Sequence, residues 1–307
     1  MTVLATGSNT SRRTVLTLGA GAVLAVATPL SAGAQAATPR TDQLSRRLAD
    51  LERQHSARLG VFAHDTATGR SVRYRADERF PMCSLFKTLA AAAVLRDLDR
   101  HGEFLAKRLR YTAKDVGDAG YTPITGKPEN LAHGMTVAAL CSAAVSYSDN
   151  AAGNLLLREL GGPHAITRFC RSTGDRVTRL DRYEPDLNSA EPSRVTDTTS
   201  PRAIGQTYQR LTLGTALAPR DRKQLTEWML ATTTGGEKFR AGLPSDWTVA
   251  DKTAGGEYGT NHDAGLVRRP ARAPIVLAVL TAKRTRDAAA DNPLVAKTAA
   301  LLASALS

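Results

Sequence analysis

The chain has 307 residues, 41 basic and 29 acidic side chains, and a formal net charge of +12 at pH 7. That length allows one large or two interleaved domains with a substantial core. Lys and Arg are scattered among acids rather than gathered in a stripe, and seven Tyr and six Phe give little stacking surface, so the composition argues against a nucleic-acid binder.

The first segment reads as an address rather than as fold. "SRRTVLTLGAGAVLAVATPLSAGAQA" has a charged start at Arg12 and Arg13, an apolar run, and the small-residue ending Ala34, Gln35, Ala36. This predicts an export signal over 1–36, cleaved after Ala36. The run is too short and too rich in Ala and Gly to predict a stable membrane insertion. Paired arginines followed by Thr14, Val15 and Leu16 resemble the twin-arginine signal, which implies export of an already folded chain and a secreted product. Removal of the segment leaves 271 residues, with 39 basic and 29 acidic side chains, a balance compatible with attraction to an anionic cell envelope.

Further along, "RLGVFAHD", the turn residues "TATG" and "RSVRYR" predict a two-stranded hairpin. Helical patterns dominate from Leu85 to about Ala231. Leu85, Leu89, Ala92 and Leu95 keep one stripe, "TVAALCSAAVS" another, and "NAAGNLLLREL" stops at Gly161, Gly162 and Pro163. The stretch from about Thr178 to Pro201 lacks periodicity, and a loop of that length in a compact chain is commonly functional. Strands return in "DWTVADKT", "AGLVRR" and "APIVLAVLTAK", and "NPLVAKTAALLASAL" closes the chain as a helix. Strands at both ends around a helical middle predict an α+β fold in which the termini share one antiparallel sheet.

Cys83, Cys141 and Cys170 show no CxxC spacing and are expected to be buried and free. The six histidines, His55, His64, His101, His133, His164 and His262, lack HxH or HExxH spacing. A zinc hydrolase is therefore disfavoured, and no metal or other cofactor is expected.

Four polar constellations stand out on this frame. In "RFPMCSLFKTLAAAAVL", Ser84 and Lys87 lie three apart at a helix start and so share one face. A serine needs a neighbouring base to become a nucleophile, and a lysine in a dry, cation-rich pocket can have its pKa lowered enough to serve. In "SYSDNAAGN", Asp149 is explained as a helix cap, but Ser148 and Asn150 are not. In "VADKTAGGEYG", Lys252 and Thr253 end a strand and are followed by small residues that permit close approach of a ligand. In "RLDRYEPDLNSAEPSRVTDTTSP", Glu184 and Asn188 can meet if the residues between them coil once, and Arg182 with Asp197 can close the base of the loop as a surface pair of little energetic weight.

Together, in this order and spacing, these motifs resemble the class A serine β-lactamases, whose signature is S-x-x-K, S-D-N and K-T-G. The resemblance runs nearly end to end through the mature chain. It implies a five-stranded antiparallel sheet built by both chain ends and flanked by terminal helices, within 37–82 and 232–307. It also implies an all-helical middle over 83–231, with an Ω-type loop at 181–197. The implied activity is opening of the β-lactam ring of a small-molecule antibiotic by a monomer that needs no cofactor.

The resemblance also implies roles. Ser84 would attack the lactam carbonyl, Lys87 would take part in the proton transfer, and Ser148 would pass a proton to the departing nitrogen. Glu184, assisted by Asn188, would deprotonate the water that releases product. Whether Lys87 or Glu184 is the acylation base stays open. Backbone NH groups of Ser84 and Gly255 would hold the oxyanion. Lys252, Thr253 and Ser148 would recognise the substrate carboxylate, Asn150 a side-chain amide, and Tyr121 would wall the pocket.

Three departures qualify the match. Ala254 stands where the motif has glycine, which is expected to bring a methyl group to a strand edge that substrate approaches. Asn261 occupies the usual place of a carboxylate-binding arginine, for which Lys238 is expected to substitute, without the bidentate fork. Ala91 stands where some relatives carry a partner for the cysteine matching Cys141. Two other classes share the serine and lysine, namely a penicillin-binding peptidase of the cell wall and a sensor that acylates without turnover.

Overall fold

A computed structural model describes residues 39–306; the export signal read over 1–36 lies outside the described residues. The chain enters through helix α1 (Pro39–Gln54), strands β1 (Arg58–Asp65) and β2 (Ser71–Tyr74), and the two-residue β3 (Phe80–Pro81). A 3-10 turn, Cys83–Leu85, leads into α2 (Phe86–Ala93). Then follow β4 (Arg108–Leu109), α3 (Ala113–Ala119), α4 (Pro128–His133), β5 (Met135–Thr136), α5 (Val137–Ser146), α6 (Asn150–Glu159) and α7 (His164–Ser172). The long loop contains a single 3-10 turn, Asp186–Ser189, and ends at β6 (Thr198–Thr199). After α8 (Pro201–Thr212), α9 (Pro219–Leu230) and α10 (Phe239–Gly242), the chain closes with β7 (Thr248–Gly256), β8 (Thr260–Arg268), β9 (Ile275–Ala282) and α11 (Asn292–Leu306). Among the described residues, no helix is long and apolar enough to cross a membrane.

The main sheet has the order β2-β1-β9-β8-β7, antiparallel throughout, so the two chain ends meet where β1 pairs with β9 from Arg58 opposite Ala282 to Asp65 opposite Ile275. This is the α+β architecture expected from the sequence. Alternation along each strand divides the core into two layers. Leu59, Val61 and Ala63 of β1, with Leu277 and Val279 of β9, pack against Leu48 of α1 and against Leu294, Val295 and Leu302 of α11. The other face turns Phe62, Ala278 and Leu280 into a larger cluster shared with the helices.

Two features differ from the sequence reading. Strand β8 starts at Thr260, four residues before the apolar run that signals it, and β7 runs on past Thr253 to Gly256. Asn261, His262 and Asp263 are polar, but pairing on both sides and covering loops bury all three. Their polarity hides the strand from a hydrophobic pattern. In addition, α8, although within the helical stretch, lies across β1, β8 and β9. Gly205 allows this approach, since a Cβ there would stand 2.6 Å from Cδ1 of Phe62.

Helix α2 is buried at all eight positions and touches α5, α6, α7 and α9. A helix enclosed on every side is apolar all round and takes small residues where neighbours come close. That accounts for its alanine run. Lys87 is therefore a charge carried on the innermost helix, and it lies there because the site does.

The junction that leads to the site is tightly filled. A Cβ on Gly60 would lie 2.5 Å from Cε2 of Phe80 and 2.8 Å from Cγ of Pro201. Gly60→Ala is expected to destabilise the fold by about 1–3 kcal/mol through overpacking, seen as a fall in melting temperature of roughly 2–4 °C per kcal/mol. A melting curve unchanged by the substitution would show that the junction is slack.

Candidate active site

Four separate segments deliver polar groups to one buried point. Ser84 sits in the 3-10 turn that follows β3, is 6% exposed, and is preceded by Cys83 in the left-handed region at φ 43°. One turn later Lys87 points back along α2. Its Nζ donates to Ser84 Oγ at 2.9 Å, to the Ser148 carbonyl at 2.8 Å and to Asn150 Oδ1 at 2.6 Å, and it lies 2.9 Å from Glu184 Oε1. Both charged side chains are fully buried. Burial of an ion pair is tolerable only when the remaining hydrogen-bonding capacity is met, as it is here. Ser84 Oγ also donates to Glu184 Oε1 at 3.3 Å.

Asp149 builds the second segment. Its carboxylate accepts from the Ala152 amide, which caps α6, and from the Ile124 and Thr125 amides and the Thr125 hydroxyl. The capping reading of Asp149 holds, with a second task added, because the same carboxylate fixes the 124–125 turn. Ser148, just before it, takes φ 60°, and Asn150, just after, donates from its side chain to the Ala119 carbonyl and from its backbone to the Tyr121 carbonyl. Tyr121 is thereby anchored by its backbone while its side chain stands 56% exposed.

The long loop presents Glu184. The 3-10 turn Asp186–Ser189 supplies the coil that brings Asn188 Nδ2 onto Glu184 Oε2. A residue the sequence reading did not single out, Asn154 of α6, holds the backbone of Glu184 from both sides: its Nδ2 donates to the Glu184 carbonyl and its Oδ1 accepts from the Glu184 amide, each at 2.9 Å. An amide one turn after Asn150, on the buried face of a helix rich in Ala and Leu, was the available signal. The base of the loop is closed by Arg182 and Asp197, with Nε to Oδ2 at 2.6 Å. Asp197 is only 1% exposed and also accepts from the Asp181 and Arg182 amides, so this is not the weak surface pair the sequence suggested.

Strand β7 supplies the fourth segment. Lys252 Nζ donates to Ser148 Oγ at 3.0 Å and to the Thr253 carbonyl at 2.7 Å. Burial, reinforced by the positive charges of Lys87 and Lys238, holds this amine well below the usual lysine range. Thr253 shares a hydrogen bond with Thr234 at 2.5 Å. Gly255 is exposed, and a side chain there would meet only the Thr260 carbonyl, at 3.6 Å, which leaves the strand edge open.

The departures take on physical meaning here. Ala254 is 4% exposed and belongs to the central apolar cluster, because the pleat puts it on the same face as Lys252. Its methyl group is turned inward and does not stand at the open edge, contrary to the sequence expectation. Asn261 is buried and spends its amide on Asn292 Oδ1 at 3.0 Å. Lys238 is nearly buried, with Nζ on the His262 carbonyl at 3.2 Å, and desolvation lowers its pKa. The three cysteines are free and buried, and their thiols are pushed far above the ordinary range by burial.

A serine hydroxyl bonded to a buried lysine and to a carboxylate, beside an open strand edge, is the equipment of an active-site-serine hydrolase that works through an acyl intermediate. The chain belongs to the β-lactamase enzyme family, whose model matches residues 43–306. It is 67% identical to the β-lactamase of Streptomyces lavendulae over 98% of this chain and 99% of that protein. It is 47% identical to a carbapenem-hydrolyzing β-lactamase of Klebsiella oxytoca, over 86% and 89% of the two chains. Among solved structures, the β-lactamase of Streptomyces albus G superposes with a TM-score of 0.86 at 66% identity, covering 86% of this chain and all of that one.

The loop base offers a direct check on the site's scaffold. Asp197→Ala leaves two amides without their acceptor and the Arg182 guanidinium with only Ser189 Oγ and the more distant Glu191, and is expected to cost about 3 kcal/mol, the low end for a broken buried pair, since Arg182 is partly solvated. Limited proteolysis should then cut within 181–197 at protease concentrations that leave the parent intact. Equal resistance of the two proteins would show that the pair does not hold the loop.

Proposed function

We propose that this protein hydrolyses the β-lactam ring of penicillin- or cephalosporin-type antibiotics through an acyl-enzyme on Ser84, and so confers resistance to them. The observation that carries the reading is the junction of Ser84 Oγ, Lys87 Nζ and Glu184 Oε1, with contacts of 2.9 to 3.3 Å. Ser84 attacks the carbonyl, the ring C–N bond breaks, and Ser148 returns a proton to the nitrogen. Backbone NH groups of Ser84 and Gly255 hold the oxyanion, a donor type worth roughly 10² to 10³ in rate. Glu184, aligned by Asn188 and by the Asn154 clamp on its backbone, deprotonates the water that cleaves the ester.

Lys87 Nζ faces four oxygen acceptors. Lys87 Nζ and Glu184 Oε1 are both within reach of the Ser84 hydroxyl, so either can take its proton in acylation. Lys252 and Thr253 bind the substrate carboxylate with Ser148, Asn150 takes the side-chain amide, Tyr121 borders the opening, and Lys238 adds positive charge from behind. The protein acts as a secreted monomer, exported folded through its twin-arginine segment.

Glu184→Gln is expected to acylate but to hydrolyse the ester roughly 10² to 10⁴ times more slowly, so that mass spectrometry shows an accumulated adduct of the mass of one antibiotic. Turnover of a chromogenic cephalosporin at the parent rate would refute the role. Parent protein that is acylated stoichiometrically and stops would instead fit a sensor or a cell-wall peptidase.

The lowered pKa of Lys252 predicts an alkaline limb. A lysine is charged below its pKa, so attraction of the carboxylate is present at lower pH and is lost as pH rises through the depressed value. kcat/KM for an anionic substrate should fall along that limb more steeply than for the corresponding methyl ester. Identical profiles would place the carboxylate elsewhere.

A further inference from the structure

Away from Ser84, a cavity of about 1010 Å³ opens between the end of α1, the adjoining ends of β1 and β9, and the outer side of the long loop at Ala190–Arg194. Its size is at the upper end for small-ligand sites, which run from about 300 to 1,000 Å³. Its lining carries Arg53, Arg58, Arg75, Arg79, Arg194, Lys283 and Arg284 against only Glu52 and Glu191. Most of these cations are neutralised locally. Arg53 pairs with Asp50, Arg58 with Glu78, Arg75 with Glu52 and Glu78, Arg194 with Glu191, and Lys283 with Asp291.

Two are not. Arg79 donates to the Val177 carbonyl at 3.0 Å and the Thr198 hydroxyl at 3.2 Å, and meets no carboxylate among the described residues. Arg284 is exposed and has no hydrogen-bond or ion-pair partner among the described residues. Arg58, for its part, is held flat, with its guanidinium carbon 4.0 Å from the centre of the Phe80 ring, and this presets the orientation of its fork.

We propose that this cavity is a binding site for a chain of phosphate groups. Two guanidiniums without carboxylates line the same space, within a ring of further arginines, and planar forks suit the tetrahedral oxygens of phosphate in bidentate pairs. The volume admits several linked units rather than one ion. Such a ligand could be a free oligophosphate or a phosphodiester polymer of a cell envelope, and the binding chemistry is the same for both. The site is separate from Ser84, and the inference does not depend on the reaction assigned there.

The test is calorimetric titration of the protein with inorganic polyphosphate of about ten units and, separately, with a glycerol-phosphate oligomer of equal charge, at about 50 and about 200 mM salt. Binding of at least one probe is expected, weaker at the higher salt. It should weaken at least tenfold in R79S/R284S and be unchanged in R100S/R176S, which removes two exposed arginines that do not line the cavity. Arg284→Ser alone, a change at a side chain with no hydrogen-bond or ion-pair partner among the described residues, serves if the double variant is unstable, and should still weaken binding severalfold. Failure of both probes to bind, an equal loss in the control variant, or equally tight binding of poly-glutamate of the same charge would overturn the proposal. The stronger of the two probes identifies the source.

Discussion

The structure depends on one buried ammonium group. Lys87 lies on a helix enclosed by four others, where an unpaired charge would be untenable, and its Nζ is satisfied only because Ser84, the Ser148 carbonyl, Asn150 and Glu184 converge on it. Those groups come from the turn before α2, from the α5–α6 connection and from the long loop. The last two segments each have their own clamp: Asp149 for the connection, and Asn154 with the Arg182–Asp197 pair for the loop. Cooperative packing of the helices and reactivity of the serine are therefore two outcomes of the same requirement.

A second constraint is electrostatic. Lys87, Lys252 and Lys238 are all at least nine-tenths buried, and Glu184 directly balances the first of them. Desolvation depresses the other two, and for Lys252 the positive charges of Lys87 and Lys238 add to it. A negative charge placed beside Lys252 would offset this crowding of ammonium groups, an electrostatic preorganisation built into the fold.

Much of this arrangement was legible in the residues. The three-residue spacing of Ser84 and Lys87 fixed their common face, and the capping habit of Asp149 fixed the turn that carries Ser148 and Asn150. What stayed hidden was hidden for physical reasons. Asn154 is the second amide of a helix that otherwise reads largely as core, and its importance lies in contact with a backbone 30 positions away. The start of β8 is polar and buried, a combination that hydrophobic alternation cannot reveal. The direction of the Ala254 methyl group follows from strand register, which the motif by itself does not specify.

The pairing of β1 with β9 bears on synthesis. β1 can pair with β9, the central strand, only after all the intervening chain has been made, so the sheet cannot close early. Until then β7, which carries Lys252, has no completed sheet behind it, and a half-made chain holds Ser84 and Lys87 without a finished pocket. Competence thus arrives late and all at once.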